Sequence, residues 1–329
     1  MYFKRKLLII ISILTLLFPL NIYAYSDKVI LGGNNIGISV KTKEILVIGF
    51  YKVNDKYIAS DSGFAIGDKI VKVNDIDVSS INELVGVINK SDKDSVKFTV
   101  HRNNSFLDIV LPLIKENDVF KTGLYIKDQI TGIGTLTYID PESNVFGSLG
   151  HEIADSKTGK LINILSGFIF KSNITGIIKS SINKTGEKRA VFNLNEVNGN
   201  ILKNTNKGIF GHYTGDINNK LLIDVGDSNE VKLGPAKIFT VLSDNSVGSY
   251  DINIINVNFD SETKNILFEI VDKELMNNTN GVIKGMSGSP IVQNNKIIGA
   301  VTHAIVNDNT KGYGIFITTM LEEGDKESF

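Results

Sequence analysis

Cysteine is absent from this chain of 329 residues. Disulfides, thiol nucleophiles and thiolate-bound zinc are therefore excluded, while the compartment stays open. Histidine is nearly as scarce, with 4 in the whole chain and no two at a ligand spacing. Acidic residues are scattered, so no metal site and no cofactor are expected. An excess of either charge is also missing. The 35 basic and 36 acidic side chains leave −1, which gives no reason to expect nucleic acid or an acidic membrane surface as a partner. No low-complexity tract argues for disorder. The 42% hydrophobic content supports packed cores, and the length suffices for two ordinary domains plus a targeting segment.

A run of about 20 apolar residues, the length needed to cross a bilayer, is lacking at the N-terminus. Instead Lys4-Arg5-Lys6 precedes a shorter apolar run from Leu7 to Leu20, followed by the small residue Ala24. A basic region, a hydrophobic stretch and a small residue make up an export signal. Residues 1–24 are therefore expected to be a signal peptide or a membrane anchor, and the rest of the chain to work outside the cytoplasm.

Residues 32–113 read as strands with one helix. Ile36 to Val40 and Glu44 to Val53 alternate, Asn74-Asp75 and Asn103-Asn104 turn the chain, and Val96, Phe98 and Val100 share one strand face. Ser80 with Glu83 marks a capped helix whose apolar face is Ile81, Leu84, Val85 and Ile88. The segment Gly63-x-x-x-Gly67-Asp68-x-Ile70-x-x-Val73-Asn74, followed by that helix, resembles a PDZ domain. Such domains bind an extended peptide as an added strand beside a helix. The resemblance implies that Ile36, Gly37 and Ile38 form the loop that holds a terminal carboxylate. The bound peptide is expected to come from a partner or from the chain's own terminus, Lys326-Glu327-Ser328-Phe329.

From residue 117 to 329 strand signals dominate and no long amphipathic helix interrupts them, so this part is expected to be all-β. The chemistry concentrates near its end, in Gly285-Met286-Ser287-Gly288-Ser289-Pro290. A serine between glycines can stand exposed on a tight turn while bare backbone aims N–H groups at a developing oxyanion. Gly285 and Ser287 are placed to supply those donors. A serine hydroxyl also needs an imidazole to take its proton, and that imidazole needs an orienting group. Three histidines lie in this part. His151 ends the hairpin Gly132–His151, built around the turn Asp140-Pro141-Glu142-Ser143, and fits the base. His212 reads as structural, and His303 as a pocket or core residue.

Phe146-Gly147-x-x-Gly150-His151, followed far downstream by Gly281-x-x-x-Gly285-Met286-Ser287-Gly288-Ser289-Pro290-Ile291, resembles the SpoIVB peptidase family over nearly the whole chain. The resemblance implies a mainly β protein, with a PDZ domain followed by a chymotrypsin-like double β-barrel serine protease domain. It implies Ser287 as nucleophile, His151 as base and Asp272 as acid. The usual order of such barrels would place the acid earlier, at Asp224 or Asp216, so the acid stays open between these three. The family also implies an exported serine endopeptidase of the forespore intermembrane space. It would cleave itself and a membrane-bound regulator of an intramembrane protease, and so signal pro-sigma-K processing during endospore formation. The alternatives are an HtrA-like quality-control protease and a catalytically silent PDZ scaffold.

Overall fold

The computed structural model describes residues 25–91, 93–154, 159, 161–218 and 220–326. The expected export signal, residues 1–24, and the last three residues of the tail lie outside the described residues. In chain order the first elements are β1 (Lys28–Leu31), β2 (Asn35–Phe50), α1 (Ile58–Asp61), β3 (Lys69–Val73), β4 (Ile76–Asp77) and α2 (Ile81–Asn89). Then come β5 (Ser95–Arg102), β6 (Ser105–Pro112), the small hairpin β7 (Ile114–Glu116) with β8 (Val119–Lys121), and β9 (Leu124–Ile139). The remainder is β10 (Val145–Ser148), β11 (Ile164–Ile178), β12 (Glu187–Thr205), β13 (Gly208–Tyr213), β14 (Leu222–Val225), β15 (Gly234–Val241), β16 (Val247–Val257) and β17 (Ile266–Ile270). It closes with α3 (Lys273–Thr279), β18 (Pro290–Gln293), β19 (Lys296–Ile305), β20 (Asp308–Phe316) and α4 (Ile317–Asp325).

Strands β2 and β9 are each 16 residues long and pair with one another along most of that length. Their paired stretches lie in two different units. Leu46–Phe50 of β2 and Leu124–Lys127 of β9 belong to a sheet that continues through β3, β5 and β6. Asn35–Lys41 and Gln129–Thr135 belong to a closed antiparallel barrel, in the order β2, β9, β10, β13, β12, β11 and back to β2. A slip in register between Lys41 and Leu46 marks the crossing point. The units are therefore interleaved through shared strands rather than strictly successive along the chain. The first barrel takes its leading strand from residues before the PDZ-like unit, and that unit takes its last strand from residues after 113.

Burial follows the same division. Ile45, Val47, Ile70, Val73, Phe98 and Val100 pack in the first unit, with Leu84 and Ile88 of α2 over them. Ser80 Oγ accepts the Glu83 N–H at 3.2 Å, as the capping residues predict, while the Glu83 carboxylate reaches one residue further back, to the Ser79 N–H. Ile36, Ile38, Val40, Ile139, Phe146 and Ile169 fill the first barrel. A second closed barrel runs β15, β16, β17, β20, β19, β18 and back to β15, around Ile238, Ile252, Phe268, Ile291 and Val301. Strands β1 and β14 and helix α4 close the seam between the barrels over Tyr138, Phe210 and Ile297. Tight reversals are made by Asn and Asp pairs in the left-handed region, among them Asn103-Asn104 and Asn294-Asn295. These residues tolerate positive φ, which matches the twist of a hairpin. Among the described residues no helix is long and apolar enough to cross a membrane.

One buried ion pair fixes the turn of the PDZ-like motif. Asp68 is fully buried, and its two oxygens meet Arg102 Nε and Nη2 at 2.6 Å each. The Ala65 N–H donates to Asp68 at 2.8 Å, and Arg102 also donates to the Gly63 carbonyl at 2.7 Å. Removing one partner of such a pair strands a charge in a low dielectric. Arg102→Met is expected to cost about 3 kcal/mol, read from urea unfolding of the chain from Tyr25. A loss under about 1 kcal/mol would place the pair with ordinary surface bridges.

Candidate active site

The loop between α3 and β18 is held by two strands that face each other across the barrel seam. From β9, the Thr135 N–H donates to the Ser287 carbonyl at 2.9 Å, and Thr135 Oγ1 donates to the Gly285 carbonyl at 2.8 Å. Thr137 Oγ1 donates to the Gly288 carbonyl at 2.8 Å. From β19, the Val301 carbonyl accepts the Gly288 N–H at 2.7 Å. Gly285 and Gly288 have φ of +93° and +90°. A Cβ on Gly288 would stand 2.0 Å from the Thr135 carbonyl oxygen, so only glycine fits there. Met286 is buried in the second barrel and anchors the turn from inside.

This clamp takes up the carbonyls and leaves two donors over. Among the described residues, neither the Gly285 N–H nor the Ser287 N–H meets a backbone carbonyl. They are the two donors expected from the sequence. Ser287 is half-buried, and its Oγ donates to the Thr302 carbonyl on β19 at 2.8 Å.

His151 arrives from the other barrel. Leu149 and Gly150 both take φ of +69°, which swings the chain off β10 and lays it against the loop. A Cβ on Gly150 would lie 2.8 Å from Thr302 Cγ2, and one on Gly288 would lie 2.6 Å from the Leu149 nitrogen. The His151 and Ser287 segments thus meet over Thr302. His151 Nδ1 is 2.8 Å from the Glu152 carbonyl oxygen. A carbonyl only accepts, so Nδ1 carries the proton and Nε2 keeps a free lone pair. Burial lowers the His151 pKa, against the opposing pull of the Glu152 carbonyl. The His303 ring packs on it with centroids 4.9 Å apart. His303 is held down at about 4 by desolvation first, then by the His151 and Lys264 charges, although one side of the ring faces solvent. No hydrogen bond joins Ser287 to His151, because the hydroxyl is turned to Thr302.

Asp272 lies elsewhere. It is the N-cap of α3: Oδ1 accepts the Leu275 N–H at 2.9 Å and Oδ2 the Asp251 N–H at 3.3 Å. No hydrogen bond or ion pair connects it to His151, so the structure does not assemble these two into a pair. Of its rivals, Asp224 pairs with Lys28 at the surface at 3.2 Å, and Asp216 caps a turn by accepting from Asn218. In the sequence, Asp272 before Lys273-Glu274-Leu275 is a helix-start signal that an acid assignment overlooks.

The expected carboxylate loop also needs correcting. Ile36, Gly37 and Ile38 pair with β9 on one side and β11 on the other, with Ile36 and Ile38 buried in the first barrel. A strand hydrogen-bonded on both edges cannot accept a peptide. The available edge is the start of β9, residues Leu124–Asp128, which pairs only with β2 among the described residues. The Asp128 carboxylate ties it to α2 through the Ile81 N–H at 2.8 Å. A cleft beside α2 is lined by Leu84, Val85, Ile88, Phe120, Thr122 and Ile126. The alternation of Leu124 and Ile126 behind Gly123 was the available sequence signal.

The family model described as SpoIVB peptidase S55 matches residues 118–321, and that of a PDZ domain matches residues 34–113. No curated protein matches the chain. Among solved structures it is similar to the inactive form of the Rv3671c protease, at 12% identity over 57% of this chain and 80% of that one, with a TM-score of 0.31. It is similar too to a serine-to-alanine mutant of Rv3671c from M. tuberculosis H37Rv, at 12% identity over 60% of this chain and 84% of that one, also with a TM-score of 0.31. With two closed barrels meeting at a glycine-flanked serine, and a family model matched over most of its length, the chain belongs to the SpoIVB peptidase S55 family: it is a serine peptidase with a PDZ domain.

Proposed function

We propose that Ser287 is the nucleophile, His151 the general base, and the Gly285 and Ser287 N–H groups the oxyanion hole. The observation that carries this reading is the clamp from β9 and β19, which occupies the loop's carbonyls and leaves those two N–H groups without a backbone partner. In the reaction, Ser287 Oγ leaves the Thr302 carbonyl by rotation about χ1, and its proton passes to His151 Nε2 as oxygen attacks the scissile carbonyl. The oxyanion is held by the two N–H groups. The imidazolium then protonates the leaving amine, and water hydrolyses the acyl-enzyme by the same route. In the resting site the Glu152 carbonyl sets the tautomer, and Asp272 serves to start α3.

The family gives this chemistry a setting. The enzyme is exported to the forespore intermembrane space, cuts itself and a membrane-bound regulator of an intramembrane protease, and thereby signals pro-sigma-K processing. The basic and apolar N-terminus supports export. The β9 edge beside α2 supports docking of a peptide strand, from the partner or from the protein's own terminus.

Three measurements test the reading. Intact-mass analysis after exposure to a fluorophosphonate is expected to show one adduct on the chain from Tyr25 and none on Ser287→Ala. Labelling of neither protein would favour a silent scaffold, and broad digestion of casein would favour a quality-control protease. The pH profile follows from the sign of the His151 shift. A lowered pKa keeps the imidazole neutral, and so able to act as base, further into acid. The acid limb of kcat/KM is expected below pH 6.5, with activity lost as the pH falls through the folded value; a limb above about 6.5 would contradict it. Finally, Asn caps helices about as well as Asp, so Asp272→Asn is expected to keep kcat within about tenfold. A fall of about 10⁴ would put Asp272 in a working triad.

A further inference from the structure

Lys188 stands out among the groups that this mechanism leaves unused. It is 4% exposed, near the start of β12, and no carboxylate pairs with it among the described residues. Its Nζ donates to Thr240 Oγ1 on β15 at 2.7 Å and approaches Asn35 Oδ1 on β2 at 3.5 Å. Burying an amine with two neutral oxygens for company is expensive. Desolvation alone pushes its pKa down to about 7. A methionine would fill the same space without that cost, so an amine here calls for a role.

The surroundings supply one. The Lys188 N–H donates to the Lys284 carbonyl at 3.0 Å, and the Lys284 N–H to the Gly186 carbonyl at 2.9 Å, so β12 is stitched to the residue before Gly285. The stem then runs beneath that glycine. Lys188 Cβ, Cδ and Cγ lie 3.1, 3.1 and 3.2 Å from where a Gly285 Cβ would stand. The far end of the side chain bridges the barrels, since β15 belongs to the second and β2 to the first. Asn35 is itself held by donating to Ser172 Oγ at 3.0 Å, and it pairs with Thr135, the residue that clamps the loop from the opposite side.

We propose that Lys188 is a positioning residue for the oxyanion turn: its stem supports Gly285 in the left-handed conformation that aims the Gly285 N–H, and its amine locks the stem to both barrels through Thr240 and Asn35. This rests on the reading of Ser287 as nucleophile. A buried stem without its anchor has several rotamers, so the turn beneath Gly285 would loosen while the outer surface of the site stayed unchanged. The loss then falls on the transition state rather than on substrate binding.

The test compares Lys188→Met, Thr240→Val and Thr240→Ser with the parent enzyme, by the rate of fluorophosphonate labelling and on a fluorogenic peptide that the parent cleaves. Lys188→Met keeps the stem length and removes the amine. Its kcat is expected to fall about 100-fold, with KM within about twofold and fluorophosphonate labelling slowed in proportion, near the loss for one oxyanion donor. Thr240→Val is expected to lose about tenfold in kcat, and Thr240→Ser, which keeps the oxygen, to stay near the parent. Circular dichroism and melting temperature report whether each variant is folded. If Lys188→Met does not fold, the Val and Ser pair at 240 decides the matter. A folded Lys188→Met with unchanged kcat overturns the proposal, as does a rise in KM at constant kcat or equal activity of the two Thr240 variants. A parent enzyme that takes no label removes the nucleophile reading, and this proposal with it, which separates that failure from a failure at Lys188 alone.

Discussion

The bonds from Thr135 and Thr137 to the loop around Ser287 are the constraint on which the site depends. A turn with glycines at positive φ has little conformational preference of its own, because glycine loses more freedom on ordering than any other residue. Its shape must be imposed from outside. Here β9 takes the carbonyls of Gly285, Ser287 and Gly288, and β19 takes one N–H. With these acceptors satisfied, the Gly285 and Ser287 N–H groups are left without a backbone partner. A buried, strand-based scaffold does this better than a loop, since threonine hydroxyls on a paired strand have few rotamers left.

That scaffold strand also joins the PDZ-like unit to the loop around Ser287. β9 carries the open edge beside α2 at its first residues and the clamp on the loop around Ser287 at its later ones. It is paired to β2 on both sides of the register slip between Lys41 and Leu46. A hinge between the PDZ-like unit and the first barrel would have to break a ladder rather than bend a linker. The arrangement differs from beads on a string, where relative domain motion is the default expectation. Both units are instead built on one pair of strands.

Much of this was legible in local sequence, and the failures share a cause. The glycine-flanked turn around Ser287, the capped helix at Ser80 and the Asn turns are set by residues within a few positions of one another, where conformational preference has a direct chemical reason. Ile36-Gly37-Ile38 misled because a glycine between apolar residues reads equally well as a binding loop or as a strand. Pairing with Phe170 and Ile133, more than 90 residues away, decides between them. Asp272 carries two readings at once: its local signal, an acid three residues before Leu275, describes the helix cap that the structure shows, while a part in the chemistry rests on resemblance alone. Lys188 sits in the polar run Glu187-Lys188-Arg189, which on its face is a solvated edge. Nothing local reveals that one of the three turns inward.

The resting hydroxyl on Thr302 is the last piece of the site that spacing could not suggest. A serine bonded to a carbonyl is not activated as it stands, and in the proposed reaction its hydroxyl has to leave Thr302 before it can give its proton to His151. The proposed reaction would require that His151 be ready as a base beforehand, and several features fit that requirement. The Glu152 carbonyl fixes the proton on Nδ1, and burial disfavours the imidazolium that would occupy Nε2. The neighbouring His303, whose pKa is held down at about 4, adds a packing surface without adding charge at neutral pH. On the proposed reading, an imidazole so arranged would be a base before substrate arrives and become cationic only in the transition state, where an oxyanion held by the turn around Ser287 would give the new charge a counterpart.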